Sequence, residues 1–325
     1  MVKAACAVPL VMAGAARAQA FPTRPIKIIV AASAGTGIDV VTRALADALA
    51  KQLNTAVVVE NRSGAGGLIG YASVAKSPAD GYTLIMAGIP LYLTALLSET
   101  QPPPFDALAD FSPIARVARV SQAIVVSADS PYRTFHDLLK AMEKQPDFIT
   151  YSSQGVGSTA HICMVALNDS SGTKARHVGY RETTTAVTDV AGRRVDLTCQ
   201  GPASVLSLVQ AGRLRALAVT GTRRLEALPN VPTVAEAGVP GFEISSFITL
   251  MAPARIPAAA QQRLSDEVTR IAQTPHFLEQ LKGPLMYSDV ADYRKVAAEA
   301  SAEAARWKRM VDLIRSAPAA TSASR

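Results

Sequence analysis

The amino-acid sequence predicts an α/β fold built from two lobes, on the evidence of three observations. Short runs rich in Ile and Val alternate with amphipathic helical segments, a pattern typical of sheets covered by helices. The alternation falls into two series, and the second begins near Ala123. The length of 325 residues is enough for two ordinary α/β lobes.

The first series contains three predicted strands. The apolar run IKIIVAA (26–32) has the composition of a strand that is buried on both faces. Residues 39–52 follow as a helix with its apolar residues on one side, and AVVVE (56–60) is the next strand. A glycine-rich loop at 63–70 leads into another helix, and TLIMAG (83–88) is the third strand. The βαβαβ order predicts a parallel sheet covered by helices.

The second series repeats this alternation and ends in a strand that returns to the first lobe. Its predicted strands are 123–129, 148–153, 176–180, 195–199, 214–221 and 242–253, and its helices are 134–144, those starting at Ser158, Thr183 and Pro202, and those at about 258–273 and 292–314. Thr134 is the candidate N-cap of the helix at 134–144. The tail from Ser316 lacks apolar periodicity and is predicted to be disordered.

No flexible linker separates the two series, so we expect crossing strands to join the lobes. Lobe 1 is predicted to contain residues 21–123 and about 242–325. Lobe 2 is predicted to contain about 124–241.

The first 20 residues have the pattern of a secretory signal. Lys3 precedes an apolar run at 4–16 that is too short to span a bilayer, and residues 18–20 (AQA) form a small-x-small cleavage site. We therefore expect an exported mature chain that begins at Phe21. Removing the signal lowers the formal net charge from +7 to +5. The remaining cations are scattered, which argues against a nucleic-acid surface.

Two cysteines, Cys163 and Cys199, remain in the mature chain. Export permits a disulfide, but we expect both to be small buried residues. His161 lies two residues before Cys163 and would face another direction on a helix, so a shared metal is not expected. No later apolar run reaches membrane-spanning length, so any transport role would need a separate membrane partner.

The first candidate site is the loop AASAGTGID (31–39), where a buried strand ends in small residues and opens into a helix. The glycines allow a tight turn and a close approach of the ligand, and free amides at a helix start can hold a carboxylate or phosphate. Asp39 is expected to cap the helix and to order the loop. The predicted ligand contacts are Ala34, Gly35, Thr36, Gly37 and Asp39.

The same loop has a second interpretation. Gly35-Thr36-Gly37 after a strand, with Glu60 ending the next strand, imitates a dinucleotide-binding fingerprint. Val40 occupies the third glycine position, which is a poor match, and nicotinamide enzymes are rarely exported. A nucleotide-dependent α/β enzyme is therefore the weaker alternative.

Further candidate loops follow other predicted parallel strands. YSSQGVGSTAH (151–161) sets small hydroxyls and glycines before a helix start, although an ordinary capping loop has the same pattern. Its candidate donors are Ser153, Gly157 and Ser158. HVGYRETTTAV (177–187) opens another helix, while Gly88 and Gln200 end strands. Open α/β sheets bind ligands at this edge, so two facing lobes would form a cleft.

Signatures of catalysis are missing from the sequence. It contains four histidines and neither a G-x-S-x-G nor an H-E-x-x-H motif. Ser158 and His161 lie three residues apart at a helix start, a spacing more typical of capping and packing than of a nucleophile pair. We therefore expect a binding protein with no catalytic residue, cofactor or metal.

The mature sequence resembles the Bug (TctC-type) receptors of tripartite tricarboxylate transporters along nearly its whole length. Eight landmarks occur in order: FPTRPIKIIV, VVVENRSGAGGLIG, SPADGYTL, YSSQGVGSTAH, HVGY, GRRVDL, AGRLRALAVTGTRR and ALPNVPTVAEAGVPGFE. The resemblance implies a type II periplasmic binding fold, a periplasmic location and a small carboxylate held between the lobes. It also implies a monomer that delivers its ligand to integral membrane permease subunits. A free-standing periplasmic sensor would have the same fold.

Carried over by position, the resemblance assigns ligand contacts in both lobes. The first-lobe anion loop is Ala34 to Asp39, the second-lobe loop is Ser153 to Thr159, and Tyr180 matches a tyrosine of the family's H-V-P-Y-K-G segment. Three departures affect the pocket: Ala32 and Thr36 replace an aromatic and a glycine, Gly179 and Glu182 replace a proline and a glycine, and Gln200 replaces an acid. Loss of that acid favours a carboxylate ligand without an ammonium group.

Overall fold

The described residues form two six-stranded sheets with helices packed on them. The structure, a computed structural model, describes residues 21–97, 104–180, 182–283, 285–316 and 321–322. The predicted signal, residues 1–20, lies outside the described residues. The predicted α/β fold with two lobes is confirmed.

The elements follow one another along the chain much as the hydrophobic periodicity predicts. In chain order they are β1 (Ile26–Val30), α1 (Gly37–Leu53), β2 (Val57–Asn61), a 3-10 turn (Ala65–Gly67), α2 (Leu68–Ala75), β3 (Thr83–Ala87), α3 (Pro90–Leu96), β4 (Phe111–Ser121), β5 (Ala123–Ser127), α4 (Phe135–Lys144), β6 (Thr150–Ser153), α5 (Thr159–Ser171), β7 (Arg176–Gly179), α6 (Thr183–Ala191), β8 (Leu197–Gln200), a 3-10 turn (Pro202–Ser204), α7 (Leu206–Gln210), β9 (Leu214–Val219), β10 (Ser245–Pro253), α8 (Ala258–Ala272), α9 (Pro275–Lys282), β11 (Tyr287–Asp292), α10 (Tyr293–Ser316) and β12 (Thr321–Ser322). Thr134 caps α4 as predicted, because its side chain accepts from the amide of Asp137 while the Asp137 carboxylate accepts from the amide of Thr134.

The first sheet has the order β11-β4-β10-β3-β1-β2. β1 runs parallel to β2 and β3, but β10 is antiparallel to β3 and β4, and β11 is antiparallel to β4. The predicted parallel arrangement is confirmed for β1, β2 and β3, but the sheet as a whole is mixed. The reason is that β10 enters from the second lobe and runs in the opposite direction. Periodicity did not identify α3, β4, α9 or β11.

The second sheet has the order β12-β7-β6-β8-β5-β9. β6 is parallel to β7 and β8, while β5 is antiparallel to β8 and β9. β12 pairs with Val178 and Gly179 of β7, so these two residues of the tail adopt a strand where disorder was predicted.

Two strand-to-strand connections cross between the sheets, from β4 to β5 through Gln122 and from β9 to β10 through residues 220–244, and the chain reaches the second sheet again at β12, after α10. Thr220 joins the two crossing segments. Its hydroxyl accepts from the Gln122 amide (2.8 Å) and donates to the Ile244 carbonyl (2.5 Å). Its own amide donates to the Gln122 carbonyl (2.9 Å), and the Ile244 amide donates to the Thr220 carbonyl (2.9 Å). Because Thr220 is fully buried, these bonds are shielded from water.

The C-terminal helix α10 is packed against both lobes. It contacts β4, β11 and α3 of the first lobe and α5 of the second. Its buried Trp307 belongs to a core cluster that also contains Tyr92 of α3 and Ile162 of α5. Arg309 forms an ion pair with Asp169 of α5 (2.9 Å). The apolar core is therefore continuous across the two lobes at this helix.

A disulfide joins Cys163 of α5 to Cys199 of β8. The expectation of two unpaired cysteines is wrong, although both are fully buried as predicted. The two residues are 36 positions apart, so the sequence spacing carried no sign that helix and strand would meet. The crosslink fixes α5, and with it the loop that precedes α5, to the centre of the second sheet.

Removing this disulfide should lower the free energy of unfolding. Crosslinking a loop of 36 residues restricts the unfolded chain, which is worth about 3–4 kcal/mol. We expect the double variant Cys163→Ala/Cys199→Ala to show that loss in urea unfolding followed by circular dichroism. Dithiothreitol should destabilise the wild type and leave the variant unchanged. Equal sensitivity of both proteins to the reductant would contradict the assignment.

Candidate ligand-binding cleft

The cleft lies between the facing edges of the two sheets. β1, β2 and β3 end at one edge, and β6, β7 and β8 end at the edge that faces it across the crossing segments. The loops of the two lobes come into contact here. A Cβ placed on Gly157 would lie 2.6 Å from Cδ1 of Leu97, at the end of α3. The loop before α5 therefore contacts the first lobe at the end of α3.

Asp39 organises the first-lobe loop. Its buried carboxylate accepts hydrogen bonds from the Gly35 amide (2.8 Å), from Arg43 Nε (3.0 Å) and from Asn61 Nδ2 (2.9 Å). Gly35 adopts φ +80°, a conformation that favours glycine. The prediction that Asp39 orders the loop agrees with these bonds. The prediction that Asp39 caps the helix is wrong, because the N-cap residue of α1 is Thr36.

The charge of Asp39 is balanced within the loop. Burial by itself would raise the pKa of this carboxyl, but hydrogen bonds from Arg43, Gly35 and Asn61 outweigh burial and hold the pKa below its ordinary value. The half-exposed Arg43 supplies the matching positive charge. The loop is thus close to neutral, and Asp39 acts on its shape.

The amides at the start of α1 are the donors that this loop offers a ligand. The first helical hydrogen bond runs from the Val40 amide to the Thr36 carbonyl (3.0 Å), so the amides of Gly37 and Ile38 precede it. The Thr36 hydroxyl donates to the Ser33 carbonyl (2.8 Å), within the loop. Ala34 is exposed. Main-chain donors at a helix start suit an anion.

The second-lobe loop is held by its own hydroxyls. Ser153 Oγ lies 2.6 Å from His177 Nε2 and donates to the Gly155 carbonyl (3.1 Å). Ser158 is the N-cap of α5, and its hydroxyl accepts from the His161 amide (3.3 Å). Both predicted serines are therefore engaged in shaping the loop. The donors that remain for a ligand include the Thr159 and Ala160 amides, which precede the first helical bond of α5, and the buried Gln154 Nε2, which has no partner among the described residues.

Two buried histidines lie behind this loop. The rings of His161 and His177 are 4.4 Å apart, and Tyr151 stacks on His177 at 5.1 Å. His161 Nδ1 accepts from the Gly157 amide (3.4 Å), so each ring contacts the loop. Burial lowers the pKa of His161 to about 3, with repulsion from His177 as a second cause, and burial lowers the pKa of His177 to about 4. Both rings are neutral at physiological pH.

The other predicted ligand contacts, Tyr180, Gly88 and Gln200, each form a different hydrogen bond within the protein. Tyr180 donates its hydroxyl to Asp189 of α6 (2.9 Å), while its amide donates to the Ser153 carbonyl (2.8 Å). Gly88 follows β3, and its backbone forms a hydrogen bond with the phenol group of the buried Tyr71. Gln200 is buried and donates to Thr198 Oγ1 (3.2 Å). These side chains shape the edge of the cleft, and their contact with a ligand remains a prediction.

Several residues that shape the cleft were not singled out from the sequence. Arg43 had a local signal, since it lies four positions after Asp39 on one helix. Asn61 and His177 had none, because each meets its partner through the tertiary fold. Gln122 is a further example: a Cβ on Gly201 would lie 3.9 Å from its Oε1, so it lies beside Gln200 at the crossing.

The departures at β7 and α6 alter the second-lobe edge in different ways. Gly179 has space for a side chain, since a Cβ there would meet atoms at 3.7 Å or more. Glu182 is exposed at the N-cap of α6 and makes no side-chain cap.

Among the described residues, no group of three or more His, Cys, Asp and Glu could hold a metal ion, and no helix is long and apolar enough to cross a membrane.

Two α/β lobes joined by two crossing segments, each with a strand that leads through a glycine-containing loop into a helix start, have the architecture of a two-lobed solute-binding protein. Residues 41–315 match the model of the tripartite tricarboxylate transporter family receptors. The chain belongs to this family of periplasmic receptors, which are not enzymes.

Individual relatives agree with the family match. A Pseudomonas sp. (strain P51) protein, described as a UPF0065 protein in the tcbD-tcbE intergenic region, is 33% identical over 299 residues, covering 91% of this chain and 88% of the relative. The structure described as R. palustris Rpa4515 with adipate has a TM-score of 0.77 at 30% identity, covering 92% and 100% of the two chains. The periplasmic binding protein BugD has a TM-score of 0.73 at 28% identity, covering 91% and 99%.

The buried histidines should make the protein less stable in mild acid. Between about pH 6.5 and pH 4 they bind protons in the unfolded chain and resist them in the folded chain. The free energy of unfolding should therefore fall as the pH is lowered through this window, by up to about 1.4 kcal/mol per pH unit for each histidine. Urea unfolding at pH 7, 6 and 5 measures this slope.

The variants His161→Gln and His177→Gln should each flatten this slope. His136→Gln is the matched control, because His136 is exposed on α4, and it should keep the wild-type slope. A slope that both buried-site variants leave unchanged would contradict the assignment.

Proposed function

We propose that this chain captures a small carboxylate in the periplasm and delivers it to the permease subunits of a tripartite tricarboxylate transporter. The observation that carries the proposal is that each lobe has a helix start with main-chain amides free of helical bonds. α1 begins at Gly37 in the first lobe and α5 begins at Thr159 in the second, each with main-chain amides ahead of its first helical bond. Two such donor sets suit a ligand with two carboxylates.

The side chains at the cleft edge favour an acid without an amine. A ligand ammonium group would need an acceptor with negative charge, and the Asp39 carboxylate is already occupied by Arg43, Asn61 and Gly35. Gln200 stands as a neutral amide at the end of β8. The R. palustris relative described with adipate, a dicarboxylate without an amine, supports the same ligand class.

A panel of ligands in a thermal-shift assay tests the ligand class. Ligand at a hundredfold excess over Kd should stabilise the protein by about 2.7 kcal/mol, which raises its melting temperature. We expect dicarboxylates such as adipate and succinate to raise it. Aspartate, which is succinate with one added ammonium group, should raise it less. A shift with NAD and none with any carboxylate would contradict the proposal.

Uptake measurements test the transporter partnership. Deletion of the gene for this protein should abolish uptake of the carboxylate identified in the panel, and re-expression should restore it. Unchanged uptake together with loss of a transcriptional response to that carboxylate would instead indicate a sensor.

A single substitution tests the first-lobe anion site. Gly37→Val adds bulk beside the amides at the start of α1 while keeping a residue that a helix start tolerates. A hydrogen bond to a charged group is worth about 1.5–3 kcal/mol, so losing one or two should weaken carboxylate binding by roughly tenfold to a few hundredfold or more. Isothermal titration calorimetry measures the change in Kd.

Ala258→Val is the matched control for this substitution. Ala258 is an exposed first residue of α8, in the same lobe but after β10, whose end lies at the edge away from the cleft. The control should bind as the wild type does. If Gly37→Val folds normally and also keeps the wild-type affinity, the anion is bound elsewhere, and the α5 start becomes the primary site.

A further inference from the structure

A second concave site lies on the opposite side of the crossing segments from the cleft. The cavity of about 580 Å³ is formed by the loop after β9 and by the segment from α9 to β11. We call it the rear groove and define it by Arg223, Leu225, Leu278, Lys282, Met286 and Tyr287. The groove lies at β11 and β9, which are edge strands of their sheets. The cleft loops follow other strands: β4 and β10 separate β11 from β3 and β1 in the first sheet, and β5 separates β9 from β8 and β6 in the second. The rear groove is therefore separate from the cleft.

One cation in the rear groove has no acidic partner within the described part of the chain. Arg224 pairs with Glu236 (2.9 Å), and Lys282 pairs with Glu279 (2.6 Å) and is attracted by Glu226, the acid that lines the groove. Arg223 instead lies over the ring of Tyr287, with its guanidinium carbon 4.2 Å from the centroid. Stacking leaves the edge of a guanidinium free to bind a carboxylate.

Part of the groove wall is apolar. Leu225, Leu278 and Met286 line it, and Leu278 is 37% exposed, while Glu226 and Ser288 are polar members of the lining. A pocket of this volume that combines apolar walls with a few polar groups is typical of small-molecule sites. The combination suits a carboxylate that carries an apolar chain.

The groove ends at the hinge between the lobes. Tyr287 Oη lies 3.2 Å from Ser245 Oγ at the start of β10, and a Cβ on Gly221 would lie 3.4 Å from the same oxygen. Arg223 lies in the crossing segment between β9 and β10, while Tyr287 belongs to β11 of the first lobe. The stack of Arg223 on Tyr287 thus spans the two sides of the hinge.

We infer that the rear groove is a second ligand site, which takes an apolar-tailed monocarboxylate with its acid group at Arg223 and its chain along Leu225, Leu278 and Met286. This inference does not depend on the proposed cleft function. Cleft binding of a dicarboxylate and groove binding of a tailed acid can succeed or fail separately.

Calorimetric titration of the mature chain with octanoate tests the site, and octanamide serves as the uncharged probe of the same length. We expect one saturable octanoate site in the wild type and binding of octanamide weaker by about tenfold. Arg223→Gln should weaken octanoate binding by about tenfold or more. Leu278→Glu, which sets a charge on the apolar wall at a partly exposed position, should do the same.

Two control variants locate the octanoate. Arg133→Gln removes an exposed arginine of the second lobe, and Gly37→Val obstructs the cleft; both should bind octanoate as the wild type does. The inference is overturned if the wild type shows no saturable octanoate binding. It is equally overturned if Gly37→Val abolishes binding while Arg223→Gln leaves it unchanged, because the octanoate would then lie in the cleft.

Discussion

Thr220 is the residue on which the relation between the two lobes depends. Its hydroxyl and its main chain bond both crossing segments, at Gln122 and at Ile244, in a site closed to water. A buried threonine that both accepts and donates holds two strands at one separation, and unpaired groups there would be costly. The crossing segments therefore form one hinge. The facing edges of the sheets, the cleft on one side and the rear groove on the other follow from that hinge.

The cleft presents main-chain donors because the side chains around it are used to hold the loops. In the first lobe, Asp39 ties Gly35, Arg43 and Asn61 together and has its charge balanced. In the second, neutral rings and serine hydroxyls support the loop before α5, and the disulfide anchors α5 itself. Amides fixed in this way lose little entropy when an anion binds, so affinity comes from preorganised geometry. Ligand choice then depends on the spacing of the two helix starts.

Much of the candidate site could be located from the sequence, since glycine-rich loops between a strand and a helix are local signals. The loops at 31–39 and 151–161 were predicted in this way, and each lies between a strand and a helix start in the structure. The roles of single residues were harder to predict. Ser153 and Ser158 were predicted as ligand donors, yet their hydroxyls bond within the protein, to partners that only the folded loop provides. The Tyr180 hydroxyl is likewise bonded to Asp189 of α6.

The sequence by itself determined the alternation of strands and helices, the division into two lobes and the family, because periodicity, turn residues and ordered motifs are read along the chain. The tertiary structure alone decided that β10 and β11 run against their neighbours, that Cys163 bonds to Cys199, and that the two buried histidines pack edge to face behind the loop before α5. Each of these depends on a contact between segments far apart in sequence. Such contacts are set by how the lobes pack and by the direction in which the chain returns through the hinge.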